Sequence, residues 1–139
     1  MHINVSEVID RPVADVFRFY AEEHVRNHPR WDPHIQLEAT SDEPMGVGTI
    51  LRRTNTRSGS PVEGTMEVIE YEPNRSIAVL TRDGDVEISG RATFEPRGED
   101  RTVLTIDAEM PDMGIPQEAM TGMVRQSIDR IKELIEEEG

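Results

Sequence analysis

From Pro116 to Glu138 the apolar residues Met120, Met123, Val124, Ile128, Ile131, Leu134 and Ile135 recur at three- and four-residue spacing, the period of one face of an α-helix. Pro116 suits the opening of such a helix, where a backbone N–H has no partner to lose. At ~1.5 Å per residue the helix would run about 35 Å, enough to cross a small domain. Between residues 35 and 110 the period changes to two. Val86, Ile88, Gly90, Ala92 and Phe94 alternate with polar residues, and so do Leu104, Ile106, Ala108 and Met110, so one face is covered and the other wet. The predicted strands are 35–40, 48–57, 62–72, 76–82, 86–95 and 102–110. Their joints carry turn residues, of which Asp83-Gly84 is the most specific, as the central pair of a type I′ hairpin. In strand 62–72 the inward parity of Val62, Gly64, Met66 and Val68 switches at Ile69 and Tyr71, which predicts a bulge or a change of covering element.

The first third mixes both periods. Ile3 and Val5 alternate with polar neighbours in a strand over 2–9, and after Asp10-Arg11-Pro12 a short helix carries Val13, Val16, Phe17 and Tyr20 on one side. A second helical piece is expected to end before Pro29, ahead of a tight passage through Trp31-Asp32-Pro33. The order is β, α, α, six strands and a long helix, in one domain over 1–139. A sheet folded around the last helix, with ligand space between them, follows from that order.

Composition narrows the partners. With 28 acidic against 15 basic residues the chain carries a formal charge of −13, which repels phosphate backbones and argues against nucleic acid. There is no cysteine, hence neither a disulfide nor a thiolate metal site. No apolar run approaches membrane-spanning length and the N-terminus lacks a signal-peptide pattern, so a cytoplasmic protein is the default. Glu136-Glu137-Glu138 reads as a solvated, fraying helix end that opposes the helix dipole. Oligomeric state is left open.

Several stretches resemble the START-related helix-grip superfamily, also called SRPBCC, in its polyketide cyclase/dehydrase-like branch. They are Arg11-Pro12 leading into Val16-Phe17, Trp31-Asp32-Pro33, Gly46-Val47-Gly48-Thr49, Glu70 through Arg75, and the terminal helix. The resemblance spans nearly the whole chain and rests on structural landmarks, none of them a catalytic signature. It implies an α+β helix-grip fold: a seven-stranded antiparallel sheet curled around the long C-terminal helix, with two short helices between the first two strands roofing a cavity. Its members bind apolar molecules such as lipids, hormones or aromatic polyketides, and some catalyse cyclisation or dehydration.

Within that frame the expected ligand-binding residues are Phe17, Tyr20, Trp31, Arg52, Met66, Val68, Ile88, Met110, Met120, Met123 and Val124, with no cofactor. Trp31 either stacks on a ligand or pins the short helices to the sheet. Met66, Met110, Met120 and Met123 either line a compliant pocket or fill the core. Arg52 shares parity with Gly48 and Ile50, which turns it inward; the other register puts Leu51 inside and Arg52 in water. His24 and His28 lie one helical turn apart with His34 and Asp32 nearby, but Pro29 and Pro33 interrupt the geometry, so no metal is assigned and exposed cap histidines are expected. Arg52, Asp32 and Tyr20 are the candidates for catalysis. Three functions remain: binding of a small apolar or amphipathic molecule, a cyclase or dehydratase on a polyketide-like substrate, or an acidic protein–protein adaptor.

Overall fold

The computed structural model describes residues 1–138. In chain order it contains β1 (His2–Ile9), α1 (Val13–Phe17), a wide π-helical turn (Arg18–Glu22), α2 (His24–Trp31), β2 (Ile35–Ala39), β3 (Ile50–Asn55), β4 (Val62–Glu72), β5 (Ser76–Asp83), β6 (Val86–Pro96), β7 (Thr102–Glu109) and α3 (Gln117–Glu138). All seven strands form one antiparallel sheet in the order β1-β7-β6-β5-β4-β3-β2. This is the helix-grip architecture. No described helix is long and apolar enough to cross a membrane.

The long helix forms as its spacing predicts. The Pro116 carbonyl accepts the first bonds, from the N–H groups of Ala119 and Met120 at 3.0 and 3.2 Å. Ile128, Ile131, Leu134 and Ile135 are buried against β1, β7 and the cap helices. Because β1 is an edge strand, its outward carbonyls need partners. Side chains of α3 supply them in sequence: Gln117 donates to the His2 carbonyl, Arg125 to Ser6 and Lys132 to Val8. The helix therefore runs alongside β1 in the same direction and seals that edge.

The far end of α3 departs from expectation. Glu136 is latched rather than frayed: its carboxylate accepts from the Asp10 N–H and from Lys132, and its carbonyl from Arg11. Burial works against ionising that carboxyl, yet the Asp10 and Lys132 hydrogen bonds win and hold it below the usual carboxylate range. Glu138 pairs with Arg30 of α2. Local cations outweigh the opposing helix dipole here.

Two other boundaries shift. Helix α2 does not stop before Pro29 but carries it internally and continues to Trp31. The missing N–H forfeits one backbone bond, and burial of His24, Asn27 and Trp31 on the inner face offsets that loss. The β5–β6 turn is centred on Gly84-Asp85, since Asp83 pairs with Val86, and of the two only Gly84 has positive φ (59°). The expected Asp83-Gly84 type I′ turn is displaced by one residue, which leaves Asp83 in the strand with its side chain indoors. The bulge in β4 falls where the parity switch predicts it, with the register shifting between Val68 and Glu70 and Ile69 turned out to solvent.

Candidate functional site

The inner surface of the sheet can be read as cross-strand rows. Leu51 pairs with Met66, Met66 with Thr81 and Thr81 with Ile88, giving an almost wholly apolar row. The next row outward is Arg53, Gly64, Asp83 and Val86. Directly opposed residues on adjacent strands lie close enough to interact, whereas residues two strands apart are separated by roughly 10 Å of backbone. Gly64 removes the intervening side chain, and Arg53 reaches across it. The Arg53 Nε–H is shared between Asp83 Oδ1 and Oδ2 at 2.9 and 3.2 Å, while Asn55 donates to Oδ2 at 3.1 Å. A Cβ at position 64 would lie 1.8 Å from the Arg82 carbonyl oxygen and 2.9 Å from Asp83 Oδ1, so glycine is what admits the pair.

Arg53 and Asp83 are each only 8% exposed, and the remaining access is from the space enclosed by sheet, cap and α3. That space has three neighbouring chambers. A deep one of about 180 Å³ lies under α2, between Tyr20, His24 and His28 above and Met66, Thr81, Ile88 and Ile106 below. A mouth of about 410 Å³ is bounded by Val62, Val86, Met113, Ile115, Met120 and Met123. A side chamber of about 200 Å³ reaches Trp31, Asp32, Val124 and Ser127. Arg53 and Ile88 line both the deep chamber and the mouth. Both amino groups of the Arg53 guanidinium lack a hydrogen bond to any described residue, and among the described residues no sealed-in polar side-chain atom lacks a partner. Its donor edge is therefore turned to the chambers.

The cap supplies the opposing polar groups. The wide turn and α2 meet at two carbonyls that side chains satisfy: Asn27 donates to Phe19 at 2.8 Å, and a ring nitrogen of His24 lies 2.7 Å from the Tyr20 carbonyl. His24 Nε2 in turn sits 2.9 Å from His28 Nδ1. Burial, the main cause, pushes His24 down to about 4, with Arg53 adding to the shift and the Tyr20 carbonyl opposing it. His28 is held well below the ordinary imidazole range by burial first, then by His24, Arg53 and Arg57. Burial also pushes the Tyr20 hydroxyl up to about 12, so it stays protonated. The expectation of exposed cap histidines is corrected for His24, which is buried, and for His28, which is half-buried; His34 is exposed. Among the described residues no three His, Asp or Glu side chains converge as a metal site.

The other candidates divide. Tyr20, Met66, Ile88, Met120, Met123 and Val124 line the chambers. Phe17, Val68 and Met110 instead belong to the packed core, with Phe17 wedged edge-on against Tyr71 and Phe94 at centroid distances of 5.3 and 5.1 Å. Trp31 touches the side chamber but is 8% exposed, its ring stacked on Tyr20 and His28 at 5.2 and 5.0 Å. Its contacts are mainly those of a pin between the cap and the core. Asp32 is chelated by Arg57 at 2.6 Å, a strap between the end of α2 and the segment after β3.

Arg52 is the clear correction: it points outward and pairs with Glu38 on the surface, both side chains more than 70% exposed. Ile50 and Leu51 are adjacent apolar residues, so either parity was available to β3; pairing of Leu51 with Met66 chose the one that buries Arg53. Arg52→Ala is accordingly expected to change unfolding free energy by less than about 0.5 kcal/mol in a urea titration, since exposed ion pairs contribute little. Arg53, Asp83 and Asn55 are the residues that sequence reasoning missed, and His28 was read only as an exposed residue of the cap. The parity that Arg53 shares with Leu51 was the one legible signal, and it pointed inward only if Leu51 did.

Comparison with known proteins agrees with this architecture. The family model described as polyketide cyclase / dehydrase and lipid transport matches residues 1–136. A START superfamily protein from Mycobacterium smegmatis superposes with a TM-score of 0.79 at 14% identity, covering 99% of each chain. Norcoclaurine synthase from Thalictrum flavum, in complex with dopamine and hydroxybenzaldehyde, gives 0.73 at 22% identity, covering 100% of this chain and 88% of that one. The di-domain ARO/CYC BexL from the BE-7585A biosynthetic pathway gives 0.74 at 19%, covering 98% of this chain and 46% of that one. At such identities the likeness is one of fold. No curated protein matches the sequence. With a family model matched along almost its whole length and a seven-stranded sheet gripping the terminal helix, the chain belongs to the polyketide cyclase/dehydrase and lipid transport family of the START-related SRPBCC superfamily.

Proposed function

We propose that the protein binds a small amphipathic molecule, its apolar body along Ile88, Met120 and Met123 and its carbonyl or carboxylate head on Arg53. The observation that carries this reading is the Arg53 guanidinium, fixed through Nε by a buried carboxylate while its amino edge faces a mainly apolar space that Asn55, Arg57 and Ser58 also border. Such a donor is worth most where water is scarce, and the planar fork suits a carbonyl or carboxylate oxygen. Pockets that hold small molecules are commonly apolar with a few convergent polar groups, and the mouth falls within their usual size range. Unbranched Met120 and Met123 let the wall conform to more than one body shape.

Calorimetric titration with 2-naphthoate tests the reading. One saturable site per chain is expected, and Ile88→Trp, which fills the passage between the deep chamber and the mouth, is expected to abolish the heat while unfolding stays cooperative. A heat that survives in Ile88→Trp would place binding elsewhere. No saturable heat with either 2-naphthoate or decanoate would remove the proposal.

A cyclase or dehydratase acting on a polyketide-like substrate is the second reading, favoured by protonated Tyr20 and cationic Arg53 lining the same deep chamber. Arg53, not the outward-facing Arg52, would polarise the substrate carbonyl. Turnover of an aryl polyketone that falls at least tenfold in Tyr20→Phe with binding retained would support it.

A further inference from the structure

The hydrogen bonds of the cap determine where its protons sit. A carbonyl oxygen can only accept, so the His24 nitrogen facing the Tyr20 carbonyl at 2.7 Å, Nδ1, carries a proton. In a neutral ring this leaves His24 Nε2 as an acceptor, and the nitrogen facing it at 2.9 Å, His28 Nδ1, must then donate. His28, neutral in turn, is left with a bare lone pair on Nε2. That atom has no partner among the described residues and is not sealed in. Its ring lines the deep chamber together with Arg53 and is held against Trp31 at 5.0 Å. The chamber therefore offers a fixed donor, the Arg53 amino edge, and a fixed acceptor, His28 Nε2.

We infer that the cavity selects ligands whose head carries a hydroxyl donor as well as a carbonyl or carboxylate acceptor, the hydroxyl donating to Nε2 of His28 while the acceptor lies on Arg53. The inference rests on the ligand-binding reading of the same cavity. A ligand with acceptors alone leaves the Nε2 lone pair desolvated and unmatched, a loss worth about tenfold in affinity. His24 contributes as a positioning residue: it touches no ligand head in this arrangement but sets which nitrogen of His28 bears the proton. Burial and the nearby cations Arg53 and Arg57 disfavour a second proton on His28, which keeps the acceptor available at neutral pH.

Two measurements test it. Long-range proton–nitrogen NMR of the imidazoles in the full chain is expected to show both His24 and His28 protonated at Nδ1 and bare at Nε2, the less common tautomer in water. In His24→Phe, the Nδ1 preference of His28 is expected to disappear. Titration with the ring isomers of hydroxy-2-naphthoate and their methoxy counterparts is expected to reveal at least one isomer bound about tenfold more tightly as the hydroxyl, with that ratio falling to near one in His28→Phe. A proton on Nε2 of His28 in the wild type would overturn the inference. So would hydroxy and methoxy isomers that bind equally while 2-naphthoate itself binds, an outcome that leaves the ligand-binding reading standing. If none of the naphthoates or decanoate binds, that reading fails and takes this inference with it.

Discussion

Arg53→Met is expected to destabilise the protein by about 3–5 kcal/mol, read as a lower midpoint in urea with an unchanged slope. The substitution keeps much of the side chain's volume but leaves the Asp83 carboxylate buried with only the Asn55 amide beside it. Desolvating an unpaired carboxylate is what makes the single change so costly. Asp83→Ala is expected toward the lower end of the same range, because the Arg53 amino groups can still meet water through the chambers they face. The double variant Arg53→Met/Asp83→Met should recover most of the loss, since two apolar side chains replace two buried charges. That double variant also separates stability from recognition: it is expected to fold and yet lose 2-naphthoate. A single Arg53→Met costing under about 1 kcal/mol would mean that the pair is solvated in solution and that the guanidinium offers a ligand little that water does not.

Acid is expected to act on this protein well above the carboxylate range. His24 is pushed down to about 4 from 6.5, and His28 also well down, chiefly by burial. Above pH 6.5 both rings are neutral whether the chain is folded or not, so their contribution to stability is fully present. As pH falls below 6.5 the unfolded rings take up protons that the folded ones refuse, and stability drops with each step until the folded pKa is passed. For His24 alone the loss is roughly 2 kcal/mol by pH 5 and on the order of 3 kcal/mol in full. The carboxylates behave with the same sign in a lower window. Glu70, held down by Ser76 and Arg91, and Asp107, held down by His2 and Asn4, contribute stability that is lost only as pH falls through and below the ordinary carboxylate range. Urea titrations at pH 7, 6 and 5 therefore isolate the histidines, and His24→Phe should flatten that segment. Constant stability from pH 7 to 5 in the unmodified protein would mean that the cap opens to hydrate its imidazoles.

The parts legible in the sequence are those governed by short-range period. Strands β4 and β6, the Ile69 bulge and the core face of α3 follow from alternation or helical spacing within a dozen residues, and each lies where that spacing puts it. The polar heart of the cavity is different in kind. Arg53 faces in because of the β3–β4 register, Asp83 because the following turn is one residue later than its chemistry suggests, and the two meet only because Gly64 stands between them. Those three facts come from residues far apart in the chain and none has a local signature. His24 and His28 were legible as a pair one helical turn apart, but their burial was not, because Pro29 reads as a stop wherever tertiary packing is left out of account.

The wide turn at Arg18–Glu22 closes on a bond from the Glu23 N–H to the Arg18 carbonyl at 2.9 Å, five residues back where an ordinary helix would need four. It is in effect a helix that has absorbed one residue too many. Removing a single residue there would let α1 run into α2 with regular hydrogen bonds and little insult to local geometry. The same deletion would swing α2 by about 100° about its axis and carry both imidazoles away from the cavity wall. Chain length at this one point, independent of any side-chain chemistry, thus decides whether the cavity has a polar roof, and insertions and deletions here alter that roof more directly than substitutions in the cavity wall.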